Sequence, residues 1–79
     1  MNILLELKQL YQDYMNNKQF NISHYRRLSK IVRESQNNDS DISKDLQRVW
    51  RSSDRGKYCL DSQRVRFVGV LGYIANLYF

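Results

Sequence analysis

The amino-acid sequence predicts an all-α protein, a compact bundle of three to four short helices with an apolar C-terminal helix. The 79 residues contain no proline, which favours uninterrupted helices over turn-rich β structure. Apolar side chains recur every three to four positions in the first two thirds of the chain, as in helices with one buried face. A chain this short has room for one domain, so residues 1–79 are predicted to form a single small basic helical domain.

The first two predicted helices occupy the N-terminal part of the chain. The first runs from about Asn2 to Asn16 and ends there because asparagine accepts the left-handed conformation at helix C-termini. Its apolar stripe consists of Leu4, Leu7, Leu10, Tyr11 and Tyr14. The second begins at Ser23, a favourable N-cap, and continues to about Ser35. The polar segment 36–40 is then predicted to be an exposed loop.

The third predicted helix begins near Asp39 to Asp41, where an aspartate suits the positive end of the helix dipole. It ends at Gly56, a residue typical of helix C-termini. The side chains of its apolar side are Ile42, Leu46, Val49 and Trp50.

The C-terminal segment is open to two predictions. In the favoured one, Asp61 or Ser62 caps a fourth helix that the other helices largely surround, with Arg66 on its thin polar face. The alternative is a β-hairpin from about Lys57 to Val70, since β-branched residues are common there. That hairpin would follow three helices and give a winged-helix-like α+β domain.

The net charge of +5 is concentrated on two of the predicted helices. On the third helix, cations recur at helical spacing on one narrow side, opposite the apolar side: Lys44, Arg48, Arg51 and Arg55. The second helix repeats this design with Arg26, Arg27, Lys30 and Arg33. These eight side chains are the predicted nucleic-acid-binding residues. The two groups share one continuous surface only if the two helices lie side by side.

Aligned cations on a helix predict contact with the phosphate backbone of DNA or RNA. The favoured function is therefore that of a small, basic, nucleic-acid-binding regulatory protein. Acidic residues three positions away, such as Asp41 and Asp45, also allow a merely solvated surface. The alternative function is a protein-binding adaptor or inhibitor, of the type that mobile genetic elements encode, which docks on an acidic surface of a larger partner. A homodimer is compatible with both functions, because the apolar tail exceeds what so small a monomer is expected to bury.

The sequence contains none of the motifs that indicate an enzyme: no glycine-rich phosphate loop, no catalytic carboxylate pair and no nucleophile elbow. We expect His24 to be a capping or surface residue and Cys59 to be a small core residue. One cysteine and one histidine supply neither a disulfide nor a metal framework, and no cofactor is predicted.

Residues 67–79 carry no charge but are too few for a membrane span, which needs about 20 residues. The N-terminus lacks the basic region and the cleavage site of a signal peptide. We therefore expect a soluble, cytoplasmic protein without a membrane partner.

Overall fold

The computed structural model describes residues 2–17, 19–53 and 59–79, and in these residues the chain forms four α-helices and no strand. The helices are α1 (Ile3–Asn17), α2 (Ile22–Ser35), α3 (Asp41–Ser52) and α4 (Leu60–Tyr78). The all-α prediction is confirmed. The alternative hairpin is wrong, because its described residues from Leu60 onward are helical.

The helix starts follow from local capping. The N-cap of α2 lies two residues before the predicted one, because Asn21 rather than Ser23 caps the helix. The Asn21 side chain accepts hydrogen bonds from the backbone N–H groups of Ser23 and His24, at 2.9 and 3.3 Å. In return, Nδ1 of His24 accepts the backbone N–H of Asn21 at 3.2 Å, which completes a capping box. Ser40 caps α3 by accepting the N–H of Ser43.

All four helices contribute to one hydrophobic core. Its buried side chains are Ile3, Leu7 and Leu10 of α1, Leu28, Ile31 and Val32 of α2, Ile42 and Leu46 of α3, and Phe67, Val70, Leu71 and Ile74 of α4. At one end of the core, the ring of the fully buried Phe67 lies 5.3 to 5.8 Å from the rings of Tyr14, Phe20 and His24. The His24 side chain is therefore both a cap and a core residue, as its small exposure shows.

The C-terminal helix differs from the predicted one, because the other helices do not surround it. Phe67, Val70 and Ile74 face the core, whereas Val65 and Leu77 are more than half exposed. A single helix that packs on three others from one side buries only the side chains on that side. The prediction of a surrounded helix with a thin polar face is therefore wrong. Instead, α4 has one buried face and one exposed face.

Arg66 lies on the buried face of α4 and not on a polar one. Only 8% of it is exposed, and its guanidinium carbon lies 3.6 Å from the centroid of the Trp50 ring. The same guanidinium donates hydrogen bonds to the backbone oxygen of Trp50 at 2.8 Å and to the hydroxyl of Tyr25 at 2.9 Å. Because Tyr25 belongs to α2 and Trp50 to α3, this one side chain joins three helices.

Candidate nucleic-acid interface

α2 and α3 lie side by side and run in opposite directions. The side-chain amide of Gln47 on α3 donates hydrogen bonds to the backbone oxygen of Val32 and to Oγ of Ser35, both at 2.6 Å. At the other end of the pair, the rings of Tyr25 and Trp50 are 5.6 Å apart. The two helices are therefore neighbours, as a shared surface requires, although the cations of α2 and those of α3 line separate grooves.

The α3 row, which we define as Lys44, Arg48 and Arg51, is exposed and lines one open groove of about 700 Å³. The fourth predicted member, Arg55, lies outside the described residues. The rest of the groove wall is polar and comes from α3, the C-terminal end of α2 and the loop between them: Ser35, Gln36, Asn38, Asp39, Ser43, Gln47 and Ser52. Gln47 was not predicted as a site residue, although it falls three positions after Lys44 on the same helix.

The α2 row, which we define as Arg26, Lys30 and Arg33, is also exposed. Arg27 was predicted with it but points towards α1, where its guanidinium lies 2.6 Å from a carboxylate oxygen of Asp13. Arg27 is exposed like the α2 row, but its position on the helix places it beside α1, and its role in binding stays a prediction. Lys30 lies 4.0 Å from Glu34 on its own helix, an exposed and weak pair.

Some of the predicted cations already form an ion pair with a carboxylate, and others do not. Lys44 lies 3.5 Å from Asp39, and Arg48 lies 3.2 Å from Asp45. The Lys44–Asp39 pair is exposed and contributes little to stability, so a phosphate can replace the carboxylate there, whereas Asp45 is partly buried. Among the described members of the eight predicted residues, those without a hydrogen bond or ion pair to another described residue are Arg26, Arg33 and Arg51.

The two rows also differ in local charge. The α3 row has three cations, and three acidic residues lie on or just before the same helix: Asp39, Asp41 and Asp45. On α2, by contrast, four cations accompany the single acidic residue Glu34. The α2 row therefore has the more positive potential, although the more regular spacing of the α3 row makes it the clearer signal in the sequence.

Arg48 is the most constrained member of the α3 row. Besides Asp45, it contacts Tyr73 of α4, donating to the hydroxyl at 3.1 Å with its guanidinium carbon 5.7 Å from the ring centroid. The hydroxyl of Tyr78 donates a short hydrogen bond to the other oxygen of Asp45. That bond, followed by the one from Arg48, lowers the pKa of Asp45. The same bond to Asp45, with burial, raises the pKa of Tyr78 to about 12.

A Tyr78→Phe substitution is expected to lower the melting temperature at neutral pH, because it removes the hydrogen bond to Asp45. The pKa of Asp45 is lowered on folding, so its contribution is present above its ordinary value of 3.8 and is lost as the pH falls through the folded pKa. The pKa of Tyr78 is raised from 10.0, so its contribution is lost as the pH rises through about 12. Thermal unfolding of both proteins from pH 2 to pH 12 tests this, and a constant difference across that range would contradict it.

Cys59 occupies the N-cap position of α4 and is exposed, so its predicted place in the core is wrong. The backbone N–H groups of Ser62 and then Asp61 lower the pKa of its thiol.

Within the described ranges, no group of three histidine, cysteine or acidic side chains is placed to hold a metal ion. Neither α4 nor any other described helix is both long enough and apolar enough to cross a membrane. Comparison of the chain with protein-family models, with curated proteins and with solved structures finds no match.

Proposed function

We propose that this protein is a small regulatory protein that binds the phosphate backbone of DNA or RNA through the outer side of α2 and α3. One observation carries the proposal. Arg26, Arg33 and Arg51 are exposed and have no acidic partner among the described residues, and they lie on two helices that pack directly against each other. An unpaired guanidinium on a rigid helix donates two hydrogen bonds to one phosphate without first losing another partner.

The remaining members of the two rows add to this surface. The carboxylates that pair with Lys30 and Lys44 reach solvent, so a polyanion displaces them at little cost in free energy. Arg48 is more strongly held, because it contacts both Asp45 and Tyr73. The amide and hydroxyl groups in the groove, such as those of Gln36 and Ser52, supply neutral donors for phosphate and sugar oxygens. No group of this surface is assigned to base edges. We therefore expect the affinity to depend little on the nucleotide sequence.

The salt dependence of binding tests this function. Fluorescence anisotropy with labelled duplex DNA and single-stranded RNA is measured at about 50 and about 200 mM salt. If all six side chains of the two rows contact phosphates, the affinity for duplex falls about 1,000-fold between these conditions. Absence of binding to both nucleic acids at the lower salt concentration would refute the proposal.

The second candidate function, an adaptor or inhibitor that docks on an acidic protein surface, has its own supporting observation. Asp39, Asp41 and Asp45 lie close to the cations of the α3 row, and mixed charge suits a protein surface better than a polyanion. Affinity purification from the host with and without nuclease separates the two functions. A protein partner that withstands both nuclease and high salt favours the adaptor, whereas loss of all partners on nuclease treatment favours nucleic acid.

A further inference from the structure

Tyr73 is an exposed aromatic side chain beside the α3 row. It belongs to α4, and 40% of it is exposed. Its hydroxyl accepts a hydrogen bond from Nη2 of Arg48 at 3.1 Å, so the ring is joined to a cation of the proposed binding surface. Exposed aromatic rings next to aligned cations are the combination by which proteins bind single-stranded nucleic acids, because a ring can stack on a base while the cations contact the backbone.

Arg48 does not stack flat on the Tyr73 ring. Its guanidinium carbon lies 5.7 Å from the ring centroid, whereas that of Arg66 lies 3.6 Å from the centroid of Trp50. The longer distance and the bond to the hydroxyl place Arg48 at the hydroxyl end of the ring. Within the described ranges no other aromatic ring packs on Tyr73. The ring therefore keeps a face that a base can contact.

The turn of α4 that precedes Tyr73 leaves space for a flat ligand. A side chain on a helix leans towards the preceding turn, and the residue four positions before Tyr73 is Gly69. A Cβ atom added to Gly69 would meet nothing within 4 Å, so no described side chain fills the space beside it. A base can therefore approach the ring over Gly69 without displacing a described part of the protein.

Arg48 keeps hydrogen-bond donors for a phosphate. Its bonds to Asp45 and to the Tyr73 hydroxyl both come from the same nitrogen, Nη2. Its Nε and Nη1 donate to no described residue, and a guanidinium has five N–H groups in all. Arg51 lies one turn further along α3, is exposed and forms no ion pair with a described residue. Donors for a phosphate and a ring for a base therefore lie next to each other.

A base can stack on a side chain only when one of its own faces is free. Bases inside a duplex stack on their neighbours, whereas those of a single strand can turn outwards. We propose that Tyr73, Arg48 and Arg51 hold a nucleotide of single-stranded DNA or RNA, with its base on the Tyr73 ring and its phosphate on the two guanidinium groups. This site rests on the proposed function, because it adds a base contact to the same backbone-binding surface. Every base has a face that can stack, so the site is consistent with little dependence on nucleotide sequence.

An abasic strand separates base contacts from phosphate contacts. Fluorescence anisotropy compares a labelled DNA strand of about 12 nucleotides with a strand of equal length made of abasic sites, both at about 100 mM salt. The two strands carry the same phosphates. The wild-type protein is expected to bind the intact strand about tenfold more tightly, because stacking on one aromatic ring contributes about that factor. The intact sequence is also titrated as RNA, which shows which sugar the surface prefers.

Tyr73→Leu removes the ring and is expected to abolish the preference for the intact strand. The affinities for the abasic strand and for duplex DNA should change less than about twofold, because the phosphate contacts remain. Tyr73→Phe keeps the ring and is expected to retain the preference. The matched control is Phe79→Leu, at an equally exposed aromatic residue that follows the same helix but packs on Tyr11 of α1 at 5.3 Å between centroids. This control should prefer the intact strand as the wild type does.

A second measurement needs no variant. A strand that carries iodouracil is irradiated in complex with the wild-type protein, which cross-links the base to an aromatic ring on which it stacks. Mass spectrometry of the digested complex is expected to find the cross-link at Tyr73, and a cross-link found only at other residues would contradict the proposal.

The outcomes distinguish this site from the function on which it rests. Equal binding of the intact and abasic strands by the wild type would overturn the stacking site and leave the phosphate-binding function in place. A preference that Tyr73→Leu retains, or that Phe79→Leu also loses, would overturn the assignment to Tyr73. Absence of binding to both strands and to duplex DNA would refute the function and the site together.

Discussion

Replacing Arg26, Arg33 and Arg51 together by glutamine is expected to weaken binding to duplex DNA about 100-fold at about 100 mM salt. These three guanidinium groups have no acidic partner to give up among the described residues, so each is ready to neutralise a phosphate. Loss of three phosphate contacts also reduces the slope of log affinity against log salt concentration by about 3 in magnitude. Anisotropy titrations at several salt concentrations measure both quantities.

The control for this variant removes the same charge from other parts of the molecule. Lys8→Gln, Arg27→Gln and Arg64→Gln together also lower the net charge by three. Arg27 and Arg64 already pair with Asp13 and Asp61, and Lys8 lies on α1, outside both rows. We expect this control to lose less than about fivefold in affinity, since only the general attraction to a polyanion is reduced. Equal losses in the two triple variants would mean that net charge, and not this surface, is responsible for binding.

Arg66→Ala is expected to destabilise the protein by about 3 kcal/mol, which is a large part of the total stability of a domain of this size. The substitution removes the cation–π contact with Trp50 and leaves the Trp50 backbone oxygen and the Tyr25 hydroxyl without the bonds that Arg66 donates. It also leaves a cavity where the aliphatic part of the side chain packs. Urea denaturation followed by far-UV circular dichroism measures the change, because the fluorescence of Trp50 itself depends on this contact.

Arg64→Ala is the matched control, an arginine two positions earlier on the same helix. It is half exposed and pairs, among the described residues, with the exposed carboxylate of Asp61 at 2.9 Å, so its loss should change stability by less than about 0.5 kcal/mol. Arg66→Met keeps most of the apolar volume and is expected to fall between the two. If Arg66→Ala and Arg64→Ala unfold at the same urea concentration, the proposed role of Arg66 in joining three helices is wrong.

The helices were predictable because their signals are local. α1 was predicted from Asn2 to Asn16 and runs from Ile3 to Asn17, since apolar periodicity and an asparagine terminus lie within the segment itself. The N-cap of α2 was misplaced by two residues because Asn21 and Ser23 are both good caps. Which of these two residues caps α2 is determined by the packing around His24.

The features that the sequence did not predict depend on distant parts of the chain. Arg27 pairs with α1 because Asp13, fourteen residues earlier, lies opposite it there. Arg66 is buried because Trp50 and Tyr25 meet on two other helices. The orientation of α4 was unpredictable for a related reason: in a segment that is apolar on nearly every side, hydrophobic periodicity does not indicate which side faces the core.

The hydrogen bonds of Gln47 have a consequence for recognition. Because its amide binds the Val32 backbone oxygen and the Ser35 hydroxyl of α2, the separation between the two helices is set before any ligand arrives. A ligand therefore meets a preorganised array of donors and loses little affinity to ordering the protein. Association should accordingly proceed without a gain in helicity and with only a small change in heat capacity, unlike the coupled folding of a disordered basic segment.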